Sequence, residues 1–207
     1  MKFIISHGAF GSPEDNWFPQ LKKDLESIGQ QVTVPQFPVD DWDEVTKAGP
    51  AVQQKHQYLK NWMKIFESVY QTFSSTDELC FIGHSLGSVF ILHAVEQFKL
   101  QLNSAIFVSP FMDSLHSKEY WQFDHVNDSF YKTDFDFEKL KKLIPVSYVL
   151  YSDDDPYVGK KYSSVFAKTM GSSVIPMTKA GHVSNKMYAP LLFELCKTRL
   201  DLSKYLK

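Results

Sequence analysis

An apolar strand pattern that runs into glycine, serine and a second glycine, and restarts at once as an apolar helix pattern, leaves a chain few folds to choose from. Here that stretch is Leu79-Cys80-Phe81-Ile82-Gly83-His84-Ser85-Leu86-Gly87-Ser88-Val89-Phe90-Ile91-Leu92. Leu79 to Ile82 read as a buried strand, and Leu86, Val89, Phe90, Leu92 and Val95 recur at helical spacing. The Gly-x-Ser-x-Gly between them predicts a nucleophile elbow, in which a serine on a sharp, strained turn projects its hydroxyl beyond the sheet's carboxyl end. Gly83 and Gly87 flank it because strand and helix pass too close there for side chains.

The rest of the chain alternates in the same way. Lys2 to Ser6 predicts a first strand, followed by a loop His7-Gly8-Ala9-Phe10-Gly11-Ser12. Phe18, Leu21, Leu25 and Ile28 predict a helix with Asp15 or Asn16 as its cap and Gly29 past its end. Val32 to Val34 reads as a second strand closed by Pro35, with a loop through Asp43 and then a long amphipathic helix from Val52 to Phe73. Further strands are expected at 77–83, 104–109, 146–151 and 173–176, and helices at 137–144, 160–169 and 189–200. Six strands alternating with helices predict an α/β fold of three layers, a mainly parallel sheet with helices on both faces, binding its ligand beyond the strands' carboxyl ends.

At 207 residues the chain fits one domain over 1–207. Residues 110 to 134 carry Phe111, Tyr120, Trp121, Phe123, Phe130 and Tyr131 with no sustained period. That segment is expected to be a short cap or loop insertion over the site, with plain core packing as the alternative. A net charge of -2 lacks the basic excess that nucleic-acid binding shows. No apolar run approaches the ~20 residues a membrane span needs. A strand that starts at Lys2 leaves no room for a secretory leader, so a cytoplasmic location and two reduced core cysteines, Cys80 and Cys196, are expected.

A serine hydroxyl needs a base within hydrogen-bond reach, and the base needs a third group to orient it. Downstream of Ser85 the fifth strand ends in Tyr151-Ser152-Asp153-Asp154-Asp155-Pro156-Tyr157-Val158, and the last strand is followed by Ala180-Gly181-His182-Val183. This is the order Ser, Asp, His that such a fold uses. His182, the only histidine after residue 125, is the expected base. Asp155 is the expected acid and Asp154 the runner-up, with a solvated turn or a hard-metal site as other uses for three adjacent acids. Oxyanion donors are expected in the backbone amides of Leu86 and of Ala9, with Phe10 next after Ala9. His7 and His84 flank tight glycine turns and are read as structural hydrogen bonders.

The set His7-Gly8, Asn16-Trp17-Phe18-Pro19, Leu21-Lys22-Lys23, Gly83-His84-Ser85-Leu86-Gly87, Ser152 to Val158 and Gly181-His182 resembles the small serine hydrolases of the YdeN and retinoblastoma-binding protein 9 type. The resemblance runs over nearly the whole chain. It implies an α/β-hydrolase core with strand order 2-1-3-4-5-6, little or no lid, and a triad on Ser85, Asp155 and His182. Gly159 stands where a proline commonly follows the valine, and Val183 where an aromatic commonly follows the histidine, a change expected to widen the pocket beside His182. The expected activity is hydrolysis of a small-molecule ester or acyl substrate through an acyl-enzyme, with no cofactor. Trp17 and the aromatics of 110–134 suggest an apolar pocket for it. The competing expectation is a non-catalytic protein-interaction module on the same scaffold.

Overall fold

The computed structural model describes residues 1–132 and 134–199. Strands β1 (Lys2–Ser6), β2 (Gln31–Thr33), β3 (Leu79–His84), β4 (Ser104–Val108), β5 (Ser147–Ser152) and β6 (Ser173–Met177) form one sheet in the order β2-β1-β3-β4-β5-β6. All five neighbouring pairs are parallel. The chain steps outward from β1 to β2, returns to the middle as β3 and then steps outward the other way. The direction therefore reverses between β1 and β3, where Ser6 pairs with Gly83 and the loops leaving both strands must meet.

Eight α-helices lie among the described residues: α1 (Phe18–Ser27), α2 (Trp42–Ala48), α3 (Leu59–Tyr70), α4 (Leu86–Phe98), α5 (Trp121–Asn127), α6 (Phe137–Leu143), α7 (Lys160–Met170) and α8 (Ala189–Arg199). Alternation along each strand divides the core between two faces. Phe3, Ile5, Cys80, Ile82, Ile106 and Val108 pack with α1 and α8. Ile4, Phe81, Ala105, Phe107 and Val149 pack with α3, α4, α6 and α7. Cys80 and Cys196 are both buried and free. Among the described residues no helix is long and apolar enough to cross a membrane.

Three local expectations need correction. The helix expected from Val52 begins only at Leu59, and a separate helix, α2, occupies part of the expected loop. The Asp41 side chain caps α2 by accepting from the Glu44 amide, and Gly49 at φ 80° ends it. The buried Asp40 carboxylate then accepts from the amides of Lys55, His56 and Gln57, so these groups are satisfied without a helix. At α1 neither Asp15 nor Asn16 is the cap. Trp17 holds that position without a side-chain bond, and the Asp15 carboxylate accepts from the Ser12 amide instead. Residues 110–132 are more ordered than their aperiodic sequence suggests, because the Asp124 carboxylate gathers the Leu115 and His116 amides and the Tyr131 hydroxyl around α5. Thr133, and Leu200 at the expected end of the last helix, lie outside the described residues.

The strand β6 forms one edge of the sheet and carries Pro176, whose missing N–H an edge position tolerates. None of its residues is buried, and Val174 is 44% accessible. The other edge, β2, is three residues long.

Candidate active site

Ser85 sits between β3 and α4 with φ 54° and ψ -122°, a conformation in which a non-glycine residue is strained. Backbone bonds hold it there: the Ser85 amide donates to the Val108 carbonyl (2.8 Å), and the Ser88 amide to the Ser85 carbonyl (3.0 Å). The crowding is severe. A Cβ on Gly87 would lie 2.3 Å from the Ser6 carbonyl oxygen and 2.7 Å from that of His7; one on Gly83 would lie 2.7 Å from Ser88 Cα. A Cβ on Gly8 would come within 3.1 Å of Ser85 Cβ, so the loop after β1 runs directly against the serine.

The three adjacent aspartates do three different things. Asp153 Oδ1 accepts from the Lys179 amide (3.0 Å), and Asp154 Oδ1 from the Gly181 amide (2.8 Å) and the Ser152 hydroxyl (2.6 Å). Asp155 alone of the three meets His182, its Oδ2 lying 2.8 Å from Nδ1. Its Oδ1 accepts from the Tyr157 and Val158 amides, both at 2.9 Å. Burial on its own would raise the Asp155 carboxyl, but the His182 bond and charge together with those two amides outweigh it and hold the group below the ordinary carboxylate range. The ionised carboxylate orients the imidazole through Nδ1. His182 and Ser85 line the same cleft.

Two further histidines brace this arrangement. His84 Nε2 donates to the His182 carbonyl (3.0 Å), which the Ser109 hydroxyl also approaches (3.3 Å), so the ends of β3 and β4 grip the backbone of the histidine loop. His7 Nε2 accepts from the Phe37 amide and its Nδ1 donates to the Gly8 carbonyl, fixing the turn after β1. Burial, followed by the charge of His182, pushes His84 down to about 3, and burial also lowers His7 and His93. These rings fold as neutral bases, whereas the unfolded chain protonates them below about pH 6.5. Unfolding therefore takes up protons, and stability should fall as pH drops from about 6.5 toward 3. Urea titrations between pH 7 and 5 should show a declining midpoint corresponding to uptake of at least one proton. A flat profile there would mean that these rings are accessible to protons in the native state.

Of the residues expected to supply oxyanion donors, Leu86 follows Ser85 in the chain and Ala9 lines the same cleft. Leu86 opens α4, where first-turn amides have no helical acceptor. In the loop after β1 the Phe10 amide is already committed, donating to Gln57 Oε1 (3.0 Å), and Ala9 lies beside it on the cleft wall. The cleft has a volume of about 280 Å³. Its apolar side is built from Phe10, Trp42, Phe123 and Tyr157, whose rings meet edge-on or tilted at centroid distances of 5.1 to 5.8 Å. The Tyr157 ring also stands 5.2 Å from that of His182.

Two expectations about this wall are corrected. Trp17 is fully buried and does not line the cleft; its indole N–H donates to the Val183 carbonyl (2.9 Å) and so ties the Asn-Trp-Phe-Pro segment to the histidine loop. Val183 is likewise turned into the α1/α8 core at φ 50°, so its departure from the aromatic pattern does not widen the pocket. Trp42 and Gln57 were not found from sequence. The start signal at Asp41 and Glu44 could have exposed α2 and with it Trp42, but no local pattern marks Gln57.

Known proteins share this fold. The chain is 27% identical to the YdeN protein of Bacillus subtilis (strain 168) over 180 residues, covering 86% of this chain and 83% of that one. The crystal structure of the B. subtilis ydeN gene product superposes with a TM-score of 0.76 at 23% identity, covering 97% and 98% of the two chains. Est1E from Butyrivibrio proteoclasticus, solved with ferulic acid bound, shares the fold with a TM-score of 0.69 at 15% identity, over 98% of this chain and 89% of that one. The sheet order, the helices on both faces and these neighbours are those of an α/β-hydrolase fold. The serine hydrolase family model matches residues 3–188, and the chain belongs to that family.

Proposed function

We propose that the protein is a carboxylic-ester hydrolase of small-molecule substrates, acting through an acyl-enzyme on Ser85. His182 Nε2 takes the Ser85 proton as Oγ attacks the carbonyl carbon, and the carbonyl oxygen becomes an oxyanion held by the Leu86 and Ala9 amides. The tetrahedral centre collapses, the C–O bond to the leaving alcohol breaks, and His182 returns the proton to that alcohol. Water, deprotonated by His182, then attacks the acyl-enzyme, and the acid leaves as Ser85 regains its proton. Asp155 keeps the imidazole in the required tautomer throughout and stabilises its cationic form.

The observation that carries this reading is the 2.8 Å contact of Asp155 with His182 in the cleft that a strained, glycine-flanked Ser85 lines. Charge supports it: the carboxylate is held ionised, as an orienting group must be. A fluorophosphonate probe should label one serine per chain, identified as Ser85 by peptide mapping, and His182→Ala should slow labelling at least about a hundredfold. An unlabelled Ser85 in folded protein would instead favour the non-catalytic interaction module.

A further inference from the structure

A side chain from a loop distant in sequence reaches the loop after β1. Gln57 is fully buried in the loop before α3, and its side-chain amide and backbone N–H together engage three segments. Its Oε1 accepts from the Phe10 amide (3.0 Å), its Nε2 donates to Asn127 Oδ1 at the end of α5 (2.9 Å), and its backbone amide donates to the buried Asp40 carboxylate (3.0 Å). The Phe10 N–H can only donate, which fixes the orientation of the Gln57 amide without reference to anything else. Phe10 itself has φ 55°, an unfavourable region for a bulky residue that persists only when its surroundings impose it. Gln57 is the polar group that does so, and the rings of Trp42 and Phe123 close on the Phe10 side chain from the other side.

We propose that Gln57 is a positioning residue for catalysis: by holding the Phe10 amide it fixes the Ala9–Phe10 peptide plane, which adjoins the Gly8–Ala9 plane that carries the Ala9 N–H, and so restricts the turn that presents that N–H to the oxyanion. This rests on the acyl-enzyme reading above. An oxyanion donor works only if it is placed before charge develops, and errors of about 1 Å can cost roughly a hundredfold in rate. The Gln57 bond also removes Phe10 as a competing donor, which leaves that role to the Ala9 amide. Asn127 is the outer link, since it touches Gln57 and not the loop after β1.

The test compares Gln57→Met, which keeps volume and removes the acceptor, with Asn127→Ala, which removes only the outer bond. With p-nitrophenyl butyrate, Gln57→Met should lower kcat roughly ten- to a hundredfold with KM changed less than about twofold. The inhibition constant of an alkyl boronic acid, which mimics the tetrahedral state, should rise by the same factor as KM/kcat. Asn127→Ala should stay within about threefold of wild type by both measures, even where thermal unfolding shows it comparably destabilised. If the two variants lose activity equally and in step with their melting temperatures, or if boronate affinity in Gln57→Met is unchanged, the positioning role is wrong. Should Gln57→Met not fold, Gln57→Leu supplies the same comparison, because it too removes the acceptor for Phe10: weakened boronate affinity supports the proposal and unchanged affinity overturns it. Fluorophosphonate labelling of wild-type Ser85 in parallel separates the two ideas. A labelled serine with an unaffected Gln57→Met rejects only the positioning role, whereas an unlabelled one removes the mechanism it depends on.

Discussion

Ser85→Ala should abolish hydrolysis of p-nitrophenyl esters, lowering kcat/KM by about 10⁴-fold or more while leaving the fold intact. Alanine keeps the Cβ that sits against Gly8 and removes only the hydroxyl. The lost oxygen is the one that must bond to the substrate carbonyl, so the cleft and the remaining groups have nothing to activate. The acids should separate sharply in the same assay. Asp155→Asn leaves His182 Nδ1 without its carboxylate and should cost about 10³- to 10⁴-fold in kcat. Asp154→Asn weakens a bond to the Gly181 amide and should cost less than about tenfold. Specificity constants for the three variants, read beside their circular dichroism spectra, give the comparison. Substantial activity in Ser85→Ala would sink the acyl-enzyme, and an Asp154→Asn defect equal to that of Asp155→Asn would reassign the orienting acid.

The largest effect on stability should come from a single methyl group. In Gly87→Ala the added Cβ would meet the carbonyl oxygens of Ser6, at the end of β1, and of His7 just after it, backbone atoms that no side-chain rotation can move aside. Either α4 must back away from the sheet or β1 must shift, and the helix involved is buried along nearly its whole length. We expect a loss of at least about 4 kcal/mol, in the range reserved for disrupted cores, with little folded protein recovered. Gly159→Ala is the control. Its Cβ would meet nothing within 4 Å, the residue already has a φ of -54°, and the change should stay within about 0.5 kcal/mol of neutral or stabilise slightly. Urea denaturation of both variants measures the contrast. A Gly87→Ala protein as stable as wild type would mean that the packing of α4 on β1 is looser than described.

The same crowding explains what could be read from the sequence. Strands β1, β3 and β4 are short apolar runs buried on both faces, and Ser85 is recognisable because its neighbours must be glycine, so local chemistry and global fold point the same way. Chain order at strand ends points to His182 and to one of three adjacent aspartates, and the contact with His182 that distinguishes Asp155 among them is a tertiary one. Gln57 was not, since its meaning lies entirely in partners 47 and 70 residues away in the chain. Residues 51–57 misled for a related reason. Helical spacing extends back to Val52, but the amides of Lys55, His56 and Gln57 are satisfied instead by the Asp40 carboxylate, a tertiary contact. Trp17 misled because an aromatic in a motif looks equally suited to a pocket or a core, and its indole bond to the Val183 carbonyl decides for the core.

The ends of the sheet bear on how copies of this protein behave in crowded solution. An open β-edge is a template on which a stranger's strand can zip up by backbone pairing. One margin here is three residues long, too short to seed a ladder, and the other is interrupted by Pro176, which lacks the donor an incoming strand would need. Despite the accessible Val174 beside it, lateral growth into fibres is therefore disfavoured at both margins. Replacing Pro176 with valine would restore an uninterrupted edge and with it the hazard.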